Sequence, residues 1–124
     1  MKDSPNCLRR VLVVDDEWII AHTLELILSK RGFFTKVAHS GERAVEIATA
    51  FEPDLLISDV LMPGITGIDA AEQILTFLPG CKIILFSGHA TIDLLSHSKT
   101  VEQYKILAKP VHPDVLLDCI AKFA

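Results

Sequence analysis

No apolar run in this sequence reaches the roughly 18–20 residues that a membrane-spanning helix needs. The first residues, Met1-Lys2-Asp3-Ser4-Pro5-Asn6, lack the apolar core of a secretory signal. Cysteine is scarce: Cys7, Cys81 and Cys119 make an odd number with no metal-type spacing. That argues against a disulfide framework and for free thiols in a cytoplasmic protein. Basic charge is in the minority, with 12 Lys and Arg against 16 Asp and Glu for a net charge of −4. No run of it marks a nucleic-acid surface. Internal repeats and low-complexity segments are absent too.

What remains is one domain's worth of chain. At 124 residues, 50% of them hydrophobic and with mean hydropathy +0.39, it can bury a core without disulfides. Residues 1–7 read as a flexible leader and 8–124 as the domain. Short apolar runs alternate with segments of helical spacing. Val11–Val14 is continuous and β-branched, as in a strand covered on both faces. From Trp18 to about Lys30 the period changes, placing Ile20, Leu24, Ile27, Leu28 and Arg31 on one helical side, with Gly32 as the stop. Phe33 to Ala38 alternates more, as nearer a sheet edge, and Ser40 is placed to cap a second helix.

The run Leu55-Leu56-Ile57-Ser58-Asp59 ends in a carboxylate just before the Met62-Pro63-Gly64 turn. A helix follows from Gly67, with Ala70, Ala71, Ile74, Leu75 and Leu78 inward. Residues 82–87 and 104–108 are further strands, and 92–99 a weak fourth helix. A last helix opens at Pro113, with Val115, Leu116, Cys119, Ile120 and Phe123 on its apolar side. Five strands alternating with five helices predict a doubly wound α/β fold, a parallel sheet with helices on both faces.

In such sheets ligands bind beyond the carboxyl ends of the strands. Those ends carry Asp15 and Asp16, Asp59, Ser87 and Lys109, while the second strand supplies only His39 and Ser40. Three neighbouring carboxylates repel one another unless a cation intervenes. Mg²⁺ takes carboxylates, carbonyls and phosphate oxygens, so Asp15, Asp16, Asp59 and the Leu61 carbonyl are the candidate ligands. Lys109 adds a second cation and Ser87 a hydroxyl for an oxyanion. The set suits phosphoryl transfer to Asp59 as nucleophile, where the protein's work is positioning and charge neutralisation.

Asp15-Asp16-Glu17 after the first strand, Asp59 with Met62-Pro63 and Gly67 behind it, Ser87 and Lys109-Pro110 together resemble the receiver domain of two-component response regulators. The resemblance spans about residues 8–123. It implies a flavodoxin-like sheet of strand order 2-1-3-4-5 and a phosphorylation-dependent signalling switch. The switch would take its phosphoryl group on Asp59 from a sensor histidine kinase or phosphotransfer protein, with Mg²⁺. It would not be a conventional enzyme, acting only on its own aspartyl phosphate. The resemblance also implies a cis Lys109-Pro110 bond and an output face made by the fourth helix, fifth strand and last helix, contacting a downstream protein. A monomer or weak dimer is expected, without direct nucleic-acid or membrane contact.

One departure falls on that output face. The family's aromatic three residues before the lysine is Ile106 here, and Tyr104, on the same strand face, is its expected partial substitute. By loop position His89 and Leu61 are expected to flank the path of water to the phosphoryl group. Trp18 is placed to sense the site, and His22, His39, His97 and His112 are expected on the surface. The alternative function is a receiver-like interaction module that is not phosphorylated. A haloacid-dehalogenase-like phosphatase would carry a second aspartate at Leu61, and a flavin protein would need a phosphate-cradling loop after the first strand. Both lack their residues here. The chain fits either a stand-alone regulator or a receiver within a longer protein.

Overall fold

A computed structural model describes residues 9–88 and 104–123. The leader, Cys7, His89, His97 and the helix expected at 92–99 lie outside these residues. In chain order the elements are β1 (Arg10–Val14), α1 (Trp18–Lys30), β2 (Phe34–Ala38), α2 (Gly41–Phe51), β3 (Leu55–Asp59), α3 (Gly67–Phe77), β4 (Lys82–Ser87), β5 (Tyr104–Ala108) and α4 (Pro113–Ala121). The last is the helix expected from Pro113.

The five strands form one parallel sheet of order β2-β1-β3-β4-β5, as in the flavodoxin-like fold. All five residues of β3 are buried, which is why its sequence is a continuous apolar run and not an alternating one. β2 is an edge strand, and its residues alternate between exposed and half-buried until Ala38. The register aligns Val14 with Ser58 and Asp59 with Phe86, so β1, β3 and β4 end side by side.

Each face of the sheet has its own core. Leu12, Leu56, Ile83 and Leu85 pack with Ala44, Ala48 and Ile74 of α2 and α3. Val11, Val13, Ile57 and Ile84 pack with Leu28 of α1 and with Leu116 and Ile120 of α4. Each large side chain so buried contributes about 1.5–3 kcal/mol. Two members of the expected apolar stripes are exposed. Arg31 is exposed, because the helix has ended and Arg31 itself is the C-cap ahead of Gly32 at φ +94°. Val115 is 50% exposed, because the buried stripe of α4 runs through Leu116, Cys119 and Ile120.

Three of the four described helices start at a side-chain cap, while Glu17 ahead of α1 supplies none. The Ser40 hydroxyl accepts from the Arg43 N–H at 3.1 Å. Thr66 and Asp69 form a reciprocal capping box on α3. His112 accepts the Asp114 N–H on Nδ1 at 3.1 Å, with Pro113 at the first turn of α4. Cys81 and Cys119 are free and buried. Burial first, and then the charge of Asp54, pushes the Cys81 thiol up to about 12. A thiol-specific reagent at neutral pH is therefore expected to leave both untouched in a Cys7→Ser protein until a denaturant unfolds it. Fast labelling in the folded state would contradict the packing described.

Candidate functional site

The carboxyl ends of β1, β3, β4 and β5 bring the predicted residues together. Asp15 follows β1 and is 1% exposed, and Asp59 closes β3 at 8%. Asp16 is exposed beside them. One carboxylate oxygen from each of Asp15, Asp16 and Asp59 lies within 4.8 Å of the others. From the end of β5 Lys109 reaches back, and its Nζ donates to Asp59 Oδ2 at 2.9 Å. Burial works against the Lys109 ammonium. The hydrogen bond and charge of Asp59, with Asp15 and Glu17 behind them, outweigh it and raise the lysine above its ordinary value.

Asp15 is the least comfortable member. Its Oδ1 accepts the Glu17 backbone N–H at 2.9 Å. Among the described residues its buried Oδ2 has no hydrogen-bond partner. Burial first raises the Asp15 carboxyl above its ordinary value of 3.8; the Glu17 hydrogen bond opposes that, and Asp59 adds to it. An orphaned buried oxygen in an all-oxygen cluster is the arrangement a hard divalent cation completes. The residues present fit Mg²⁺.

The backbone beneath Asp59 is held tightly. The Ser58 hydroxyl donates to the Asp59 carbonyl at 2.9 Å, and the Gly67 N–H donates to the Val60 carbonyl at 2.8 Å. Gly67 has no room for a side chain, since a Cβ there would run into the Asp59 carbonyl oxygen and lie 2.8 Å from Ser58 Oγ. Leu61, two residues past Asp59, turns its side chain half outward at 51% exposure. The Ser87 hydroxyl, buried at the end of β4, donates to the Gly88 carbonyl at 3.0 Å. Lys109-Pro110 is a cis peptide, as expected. On β5, Tyr104 is buried with the α2–α3 core while Ile106 is 41% exposed, so the two positions differ in environment though they share a face.

Two features were not anticipated. Thr66 caps α3 from the position just before Gly67, the expected helix opener. Three rings also stack beside the acid cluster. Trp18 lies on His39 with centroids 3.8 Å apart and 18° between planes, and His22 lies 5.2 Å from Trp18. His39 holds the Asp15 carbonyl through Nδ1 at 3.1 Å. The i, i+4 spacing of Trp18 and His22 was the available sign.

Among the described residues no helix is long and apolar enough to cross a membrane. Residues 11–121 match the family model described as response regulator receiver domain. The chain is 28% identical to sporulation initiation phosphotransferase F of Bacillus subtilis, over 92% of each chain. It is 30% identical to chemotaxis protein CheY of Thermotoga maritima, covering 92% of this chain and 96% of that one. A response regulator receiver domain protein from Clostridium thermocellum superposes with a TM-score of 0.84 at 28% identity, over 94% of each chain. Receiver domains are signalling switches that bind Mg²⁺ at an acidic pocket and interact with histidine kinases or phosphotransfer proteins. With its parallel sheet in that order, its acid cluster and a family match over nearly its whole length, the chain belongs to the receiver domain family of two-component response regulators.

Proposed function

We propose that this domain is a Mg²⁺-dependent switch that accepts a phosphoryl group on Asp59 from the phosphohistidine of a sensor kinase or phosphotransfer protein, in the cytoplasm. The observation that carries this reading is the Lys109 Nζ at 2.9 Å from an Asp59 carboxylate that shares a 4.8 Å cluster with Asp15 and Asp16.

An Asp59 oxygen forms the new O–P bond as the N–P bond of the donor breaks, and the imidazole nitrogen keeps the electron pair. Asp15, Asp16, Asp59 and the Leu61 carbonyl would hold Mg²⁺, which would supply charge neutralisation. Lys109 already sits on one Asp59 oxygen and follows the charge onto the phosphoryl group. The Ser87 hydroxyl, donating to Gly88 at rest, turns to hydrogen-bond a phosphoryl oxygen. Because the Asp59 carbonyl is pinned by Ser58, attack needs no backbone movement. The downstream protein reads the face that includes β5 and α4, where exposed Ile106 stands in place of the family's aromatic. The domain itself works as a monomer or weak dimer.

Incubation with acetyl phosphate and Mg²⁺ is expected to add one phosphoryl unit to the intact mass, and the gain is lost in Asp59→Asn. A wild-type protein that gains no mass with either acetyl phosphate or a phosphorylated kinase would instead favour the unphosphorylated interaction module.

A further inference from the structure

The second unusual surface lies on the α2 side of the edge strand β2, lined by none of the acid-site residues. Arg10, Phe34, Lys36, Arg43 and Phe51 line an open groove of about 600 Å³. Lys36 Nζ sits over the Phe51 ring, 5.6 Å from its centroid, and Arg9 lies 6.0 Å over the Phe34 ring. Four of the chain's 12 basic residues thus meet here, although the protein carries a net charge of −4. Arg9 and Arg10 are neighbours in sequence, and the pairing of β1 with β2 and the packing of α2 bring Lys36 and Arg43 to them. The one carboxylate lining the groove, Glu46, is already paired with Arg43 at 3.1 Å. Among the described residues no carboxylate pairs with Lys36 or the Arg10 guanidinium.

Beside the groove runs the outer edge of β2, which pairs with no other strand among the described residues. The Phe34 N–H donates to the Arg9 carbonyl and the Asp15 N–H to the Ala38 carbonyl. In a parallel ladder bonding alternates, so Phe34, Lys36 and Ala38 bond inward to β1 while the N–H and C=O of Thr35 and Val37 point outward. A strand laid along that edge would turn every second side chain toward Lys36 and Arg43, and the others toward half-buried Thr35 and Val37.

We propose that the β2 edge receives an extended acidic segment of a partner protein as a sixth strand. Its backbone would pair with Thr35 and Val37, and its carboxylates would meet Lys36, Arg43 and Arg10. Charge selects the occupant. A second copy of this chain would set Lys36 and its basic neighbours against the same cations, and like charges across a ladder repel. An acidic strand is the complement. Exposed Phe34, at 61%, supplies apolar area where the segment enters.

The test uses a capped peptide of alternating Glu and Val, followed by amide chemical shifts in the full chain at low salt. The expected result is saturable shifts centred on Thr35 and Val37, with affinity reduced about tenfold or more by Lys36→Glu with Arg43→Glu. Thr35→Pro, which removes an outward N–H and no ladder bond to β1, is expected to abolish binding. Both variants should still accept phosphate on Asp59, which shows that they are folded. Equal binding of an alternating Lys and Val peptide, displacement by oligothymidylate with higher affinity, self-association through β2, or no saturable shift would each overturn the proposal.

Discussion

Gly67→Ala is expected to melt roughly 10 °C below the wild-type protein. The new Cβ has one place to go, against the Asp59 carbonyl oxygen and Ser58 Oγ. The first of these is backbone, and no side-chain rotation relieves it. Either α3 withdraws, breaking the 2.8 Å Gly67–Val60 hydrogen bond, or the end of β3 moves and carries Asp59 with it. Forcing an extra carbon into a packed interior costs typically 1–3 kcal/mol, and backbone against backbone belongs at the upper end. For a domain of this size about 3 kcal/mol corresponds to about 10 °C. Calorimetry measures the loss directly. A shift of no more than a degree or two would show that the β3–α3 junction yields easily and that Gly67 is there for another reason.

Asp15→Asn is expected to lose most of the thermal response to Mg²⁺ and to reverse the stability order of the two proteins between chelator and metal. Without metal the variant is expected to be the more stable protein, by about 1–2 kcal/mol, because a buried, partly unpartnered charge is removed from beside two others. The amide still accepts the Glu17 N–H and gains N–H groups that can donate to Asp16 or Asp59. With Mg²⁺ the order reverses. The wild type gains about 2.7 kcal/mol at a hundredfold excess over Kd, while the variant, lacking one ligand charge, gains little.

The pH dependence has a definite sign. Since folding raises the Asp15 carboxyl above 3.8, metal-free wild-type protein loses stability as pH rises through the folded value, and Asp15→Asn does not. The stability gap between them should therefore widen in chelator as pH rises above about 4, and change sign in excess Mg²⁺. Parallel stability curves in chelator would remove Asp15 as the strained member of the cluster.

Much of this was legible because two periods were clean. The continuous run of β3 and the acid ending it placed Asp59 at the mouth of a buried strand, and the structure puts it there, 8% exposed. Lys109 was legible for the same reason: a strand end names the edge of the sheet on which a residue must lie. Less legible were contacts that depend on which neighbour a strand has. His39 reads as a surface histidine, yet β2 lies beside β1, so its ring reaches the Asp15 carbonyl and stacks on Trp18. The β2 groove was invisible for the same cause. Arg10, Lys36 and Arg43 form no run in sequence, and a sequence search for clustered basic charge passes over them. Arg31 and Val115 misled because helical spacing shows that a face exists, while the packed neighbours decide where that face ends.

The ring stack has an optical consequence. Trp18 is the chain's one tryptophan, its indole 3.8 Å from the imidazole that grips the Asp15 backbone. Tryptophan emission from this protein therefore comes from a single lamp mounted two residues beyond the acid pair. Any event that shifts Asp15, or withdraws His39 from the indole face, registers as a change in intensity with no label attached.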